Sequence, residues 1–116
     1  MTNTPVHAMF AAIDRADWDA LAGLLHPAAV YERPGYPPLA GRPRIMRFYR
    51  EERQVVCGRH DVEGTVTESG QAAAWGRMRG TLRDGSSADL QFAEIYSLDG
   101  SGLIVHRRSY FFVPTV

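Results

Sequence analysis

Cys57 is the only cysteine among 116 residues. An internal disulfide is therefore impossible, which fits a reducing cytosol better than a secreted, cross-linked scaffold. An excess of one charge is also missing. Lys+Arg and Asp+Glu both number 13, so the formal net charge is zero. That balance argues against nucleic acid or an anionic membrane as the main partner. The chain lacks any run of about 18 apolar residues that could span a membrane. Its first residues lack the basic stretch and continuous apolar segment of a secretory leader. Internal repeats and low-complexity linkers are absent too. So are a Gly-rich phosphate loop, a Gly-x-Ser-x-Gly elbow and any His/Cys/Asp cluster at metal-binding spacing. The expectation is a cytoplasmic protein without metal or cofactor, taking a small molecule as its partner.

What is present suits one compact unit. Hydrophobic residues make up 45% and charged residues 22%, ordinary values for a globular chain, and the length supports one core. A single domain over 1–116 is expected. The first half reads as helical. Phe10, Ile13, Trp18, Leu21, Leu24 and Leu25 recur at helix spacing. Thr4-Pro5 suits a helix start, and Asp17 suits a second N-cap after a break near Arg15-Ala16. His26-Pro27 is expected to close that helix, because the residue before proline is driven out of the α region. A short strand over 29–33, a Pro/Gly-rich loop over 34–41 and a third helix over 43–52 follow. Ile45, Phe48 and Tyr49 share one face of that helix.

The second half reads as a four-strand meander over 59–68, 71–83, 87–98 and 103–113. Ser69-Gly70, Asp84-Gly85 and Asp99-Gly100-Ser101-Gly102 mark its turns, and Pro114 its end. Helices followed by antiparallel strands define an α+β domain with helices on one sheet face, and the short strand after the second helix pairs at the sheet edge.

This order, with the stretch AAVYERPGYPPLAG before IMRFY, resembles the NTF2-like superfamily. That is the cone-shaped fold of ketosteroid isomerases and SnoaL-like polyketide cyclases. The resemblance implies about three helices on a curved, mainly antiparallel mixed sheet, an internal pocket, and a dimer through the outer sheet face. It also implies cofactor-independent acid/base chemistry of the kind used in secondary metabolite biosynthesis. Compared residue by residue, the isomerases' general-base Asp falls at Arg33, before Pro34, and their oxyanion Tyr falls at Met9. Their second oxyanion acid falls at Glu94, and their supporting Tyr is kept as Tyr49. A guanidinium cannot abstract a proton as a carboxylate does, so steroid isomerisation itself is excluded.

Strand alternation supplies the candidate lining. Tyr31 shares a face with Arg33. If Glu94 points inward, so do Phe92 and Tyr96. Pairing across Asp84-Gly85 then brings Trp75, Arg77 and Arg79 inward, while Ser109 and Phe111 face in and Arg107 sits nearer the rim. His60 shares the inner face of Val62 and Val66. The candidate catalytic residues are Glu94, Arg33, Tyr49 and His60. The candidate substrate-binding residues are Tyr31, Trp75, Arg77, Phe92, Tyr96, Ser109 and Phe111. Each has a structural alternative: Glu94 with Arg33 or Arg77 as a buried ion pair, His60 as a cap, the aromatics as core. As a catalyst, Glu94 would be a general acid/base with its carboxyl raised by burial, and Arg33 with Arg77 or Tyr49 would hold an oxyanion. The reactions implied are isomerisation, cyclisation or dehydration of a polyketide-like or other carbonyl compound. Two alternatives stand beside them. One is epoxide opening, which needs a second carboxylate near Glu94. The other is a non-catalytic binding or assembly domain. The outward residues are expected to include Ala74, Met78, Ile95, His106, Arg108 and Tyr110. Arg107-Arg108 reads as strand-surface charge, His7, His26 and His106 as structural or exposed, and Cys57 as a loop residue without a nucleophile signature.

Overall fold

The computed structural model describes residues 4–113. Helix α1 (Pro5–Asp14) starts where Thr4 accepts a hydrogen bond from the His7 N–H, with Pro5 in the first turn. Helix α2 (Trp18–Ala22) is capped by Asp17, whose carboxylate accepts from the Ala20 N–H. Helix α3 (Arg42–Arg47) follows Gly41, whose φ of 93° lies in the region that favours glycine. It continues into a π-helical turn, Phe48–Glu52. The strands are β1 (Leu25–Glu32), β2 (Leu39–Ala40), β3 (Val55–Glu68), β4 (Gln71–Leu82), β5 (Ser87–Leu98) and β6 (Ile104–Phe112).

They form one open sheet in the order β2-β1-β6-β5-β4-β3. All neighbours are antiparallel except β1 and β6, which run parallel. The helices lie on one face. Val6, Met9, Phe10, Ala12 and Ile13 of α1 and Leu21 of α2 bury against Leu25, Ala29, Tyr31, Tyr96 and Ile104. Full burial of the Val, Leu, Ile, Met and Phe side chains among these contributes about 1.5–3 kcal/mol each. Met9, where the isomerases carry a tyrosine, is wholly buried core.

Three expectations need correction. The second helix ends at Ala22 rather than at His26-Pro27. Leu25 already pairs with Ile104, and His26-Pro27 lies within β1 where the register shifts between Leu25 and Val30, an irregularity that tolerates proline. Cys57 is exposed on β3, not in a loop. Val66 turns outward, at 59% exposure, because the register shifts between Val62 and Gly64. That shift lets the Trp75 ring pack where a Cβ on Gly64 would sit. The expected stop at Pro114 lies outside the described residues.

Candidate active site

Between the helices and the concave sheet face lies a cavity of about 610 Å³. That is within the range of small-molecule sites. Tyr31, Tyr49, Phe92, Glu94 and Arg107 line its buried wall, and the exposed residues Pro34, Tyr36, Pro37 and Pro38 line its mouth.

Glu94, on β5, faces inward and is 4% exposed. Arg107, on β6, grips it with two parallel bonds, Nε to Oε1 and Nη2 to Oε2, both 2.8 Å. Tyr96 donates to Oε1 at 2.5 Å, and Ser109 donates to Oε2 at 2.5 Å. Each carboxylate oxygen therefore accepts two bonds. Burial by itself would push the Glu94 carboxyl up. The Arg107 charge and the bonds from Arg107, Ser109 and Tyr96 outweigh it, so the carboxyl lies below its ordinary value. The expected upward shift is thus reversed. The ion-pair partner is Arg107 rather than Arg33 or Arg77. Arg107 itself is buried, not at the rim, with its charge held firmly by Glu94 against the opposing effect of burial.

Two tyrosines extend this cluster. The Tyr31 hydroxyl lies 3.1 Å from Ser109 Oγ, whose own proton goes to Glu94, so Tyr31 donates. Burial raises the Tyr31 hydroxyl well above its ordinary value and keeps it protonated. The Arg107 guanidinium lies 4.2 Å from the Tyr31 ring centroid, a cation–π contact. Its third nitrogen donates to the Tyr49 hydroxyl at 2.6 Å. The Tyr49 oxygen thus accepts from Arg107, and its O–H makes no bond among the described residues.

His60 forms a second centre on the same wall. Its backbone N–H donates to Asp14 Oδ2 at 2.8 Å, and its ring Nδ1 lies 2.6 Å from Asp14 Oδ1. A carboxylate only accepts, so Nδ1 carries the hydrogen, and in the neutral ring that tautomer leaves the lone pair on Nε2. Nε2 makes no hydrogen bond among the described residues. Phe10 and Phe92 hold the ring, with centroids at 4.7 and 5.6 Å.

Arg33 and Arg53 occupy the outer part of the cavity. Arg33 follows β1, and its guanidinium lies 4.3 Å from the Tyr36 centroid and 4.1 Å from that of Phe48. Its Nε is buried without a hydrogen-bond partner among the described residues. Arg53 closes the π turn, its N–H donating to the Phe48 carbonyl at 2.8 Å. Arg83, in the turn after β4, pins that backbone through the carbonyls of Arg53 (2.8 Å) and Glu51 (3.2 Å). Burial lowers the Arg53 guanidinium below its ordinary value.

The expected lining divides. Tyr31, Arg33, Tyr49, His60, Phe92, Glu94 and Phe111 border the cavity. Tyr96 and Ser109 face inward and hold the Glu94 carboxylate. Trp75 and Arg77 do not belong to it. Ala74, not Trp75, pairs with Glu94, so Ala72, Ala74 and Met78 face in. Trp75 is 42% exposed on the outer face, and Arg77 pairs there with Asp89 at 2.9 Å. Arg79 is outward as well, and Ala74 and Met78 leave the expected outer set. Arg107, Asp14 and Arg53 were missed. Alternation places Arg107 with Ser109 and Phe111, a signal outweighed by the expectation that adjacent arginines are surface charge. Asp14 and Arg53 carry no local pattern that points to a site.

A mainly antiparallel cone with helices on one face and a polar-centred cavity defines the NTF2-like class of folds. Within it, the sequence profile of the SnoaL-like domain matches residues 6–107. The chain therefore belongs to the SnoaL-like domain family. Curated proteins include no match to this sequence. Among solved structures, an NTF2-like protein of unknown function from Burkholderia pseudomallei superposes with a TM-score of 0.84 at 20% identity, covering 97% of this chain and 92% of that one. An LEH-like epoxide hydrolase from Mycobacterium tuberculosis gives 0.82 at 18%, covering 93% and 80%. Rv0760c from the same organism, solved with estradiol-17beta-hemisuccinate, gives 0.82 at 15%, covering 94% and 92%. At these identities the likeness is one of fold. Among the described residues no helix is long and apolar enough to cross a membrane.

Proposed function

We propose that this protein is an acid–base enzyme that moves a proton on a small carbonyl compound, as an isomerase, cyclase or dehydratase that draws on side chains alone. The observation that carries this reading is the Asp14–His60 pair, with His60 bordering an aromatic cavity and its Nε2 unbonded among the described residues. His60 Nε2 takes a proton from the carbon beside the carbonyl, and Asp14 fixes the tautomer and balances the imidazolium that forms. The Tyr49 hydroxyl donates to the oxygen on which negative charge develops, with Arg107 behind it. The proton then returns to another atom of the substrate, or to a departing hydroxyl in a dehydration. Glu94 accepts four hydrogen bonds and sits below the ordinary carboxyl value. It is a frame for Arg107 in this scheme, not the proton carrier.

The test follows loss of deuterium from α-deuterated aryl ketones by proton NMR. The wild-type protein accelerates it. His60→Gln slows it by about 10²–10⁴-fold, the usual contribution of one general base. Tyr49→Phe slows it by about 10²–10³-fold, as expected for a lost oxyanion donor. Wild-type exchange in His60→Gln would overturn the assignment. Epoxide opening through Glu94 would call for a second carboxylate beside it. The groups bonded to Glu94 are Arg107, Tyr96 and Ser109, and none is acidic.

We also propose that the outer sheet face, with Trp75, Ile95, Tyr110 and Phe112 exposed, carries a homodimer contact. Light scattering on the wild type reads twice the chain mass, and Trp75→Ser with Tyr110→Ser shifts it toward the monomer. A monomeric wild type at high micromolar concentration would refute this.

A further inference from the structure

The charges that line the cavity do not balance. Arg33, Arg44, Arg53 and Arg107 stand against Glu52 and Glu94, in a chain whose net charge is zero. Two of these cations are neutralised: Arg107 by Glu94, and Arg44 by Glu52 at 2.9 Å. Arg33 and Arg53 have no carboxylate within ion-pair distance among the described residues. Both are half-buried. A half-buried charge without a partner is costly, and elsewhere this protein pairs such groups.

The packing around Arg33 further limits what could pair with it. Tyr36 and Phe48 lie against its guanidinium at 4.3 and 4.1 Å. Aromatic rings satisfy the faces of a guanidinium but not its N–H edge, and the Nε on that edge has no acceptor. The unmet demand is for an in-plane acceptor, which a planar carboxylate meets with two oxygens. The backbone at Arg53 is held from behind by Arg83 through two carbonyls, and the Trp18 and Tyr49 rings lie beside its guanidinium at 5.9 and 5.7 Å, with the Asp14 carboxylate beyond ion-pair distance but near enough to favour its charge.

We infer that the molecule bound here is an organic carboxylate, its anionic end held at the cavity mouth by Arg33 and Arg53 and its apolar body lying among Tyr31, Phe48 and Phe92. This rests on the cavity being the substrate site, as proposed above. It adds that recognition of charge is separate from the proton chemistry at His60 and Tyr49.

Isothermal titration with four probes that share a naphthalene body tests it: 2-naphthoate, 2-naphthamide, 2-naphthalenesulfonate and 2-naphthyl phosphate. Wild-type protein binds the carboxylate at least about tenfold more tightly than the amide, as charge-assisted bonding at a half-buried site requires. The Arg33→Gln/Arg53→Gln variant, with its fold checked by circular dichroism, loses that preference. His60→Gln keeps it, so failure of the proton-transfer assignment and failure of this one are read separately. Equal affinity for carboxylate and amide in the wild type overturns the inference without recourse to any variant. So does a preference that survives in the double variant. Tighter binding of the phosphate or sulfonate than of the carboxylate overturns the choice of carboxylate.

Discussion

Arg107 and Arg33 reach the same cavity from neighbouring strands, one on β6 and the other just past β1, under opposite conditions. Arg107 is surrounded by its own chain, with Glu94 in its fork, Tyr49 on its third nitrogen and Tyr31 under its face. Arg33 has rings against it and an edge whose Nε lacks an acceptor among the described residues. A side chain whose bonds are all made within the protein can shape a site but has little left to offer a ligand. A side chain with bonds unmade is less comfortable in the free protein and has most to gain from binding. Burial alone therefore does not separate structural from functional charge. Saturation of the hydrogen-bonding positions does.

The difference should appear first in stability. Arg107→Leu strands the Glu94 carboxylate in the core and should lower unfolding free energy by about 3–5 kcal/mol in urea titrations. A loss below about 1 kcal/mol would mean that the cluster is not the dry, saturated corner described here. Acid comes next in size. The Glu94 carboxyl lies below its ordinary value in the fold, so the unfolded chain takes up the proton first as pH falls. The stability it contributes is complete above the ordinary carboxylate range and is lost as pH drops through the depressed value. Wild type and Glu94→Gln should therefore converge in stability towards low pH, whereas a constant gap would break the link to ionisation. The smallest effect belongs to the mouth. Arg33→Gln removes only ring contacts and should shift stability by less than about 1 kcal/mol, while weakening the selectivity for anionic probes that the double variant with Arg53→Gln loses. A large loss would make Arg33 a second structural arginine.

Much of the site could be read in the sequence, and the failures share a cause. Period-two alternation on β5 placed Phe92, Glu94 and Tyr96 together, and likeness to the isomerases placed Tyr49. Trp75 and Arg77 were lost to register. A two-residue turn at Asp84-Gly85 would pair 83 with 86, and so Trp75 with Glu94. The strands instead pair Thr81 with Ser87, and the Leu82 N–H bonds the Ser86 carbonyl, which moves Ala74 opposite Glu94. That one-residue difference exchanges the two faces of β4. Arg107 was misjudged for a different reason. Adjacent arginines in a strand look like surface charge until an acid is found for one of them, and Glu94 lies 13 positions from Arg107, on the neighbouring strand. Asp14 and His60, separated by 46 positions, meet only because α1 crosses the start of β3. Tertiary pairings of this kind leave no periodic mark.

The π turn at Phe48–Glu52 has a consequence for how the site is inherited. Such a turn amounts to one residue added to an α-helix. The wide turn takes up that residue locally, so deleting one there would restore the ordinary winding and leave what lies beyond on the same face of the helix. Tyr49 sits early in the turn and Arg53 just past it, so the deletion would keep both the tyrosine and the mouth's second cation near their places. The turn is thus a point where chain length can change while the charged groups of the cavity hold their positions. A homologue one residue shorter at this point could keep every polar group around Glu94 and Arg53 and still bind the same class of molecule.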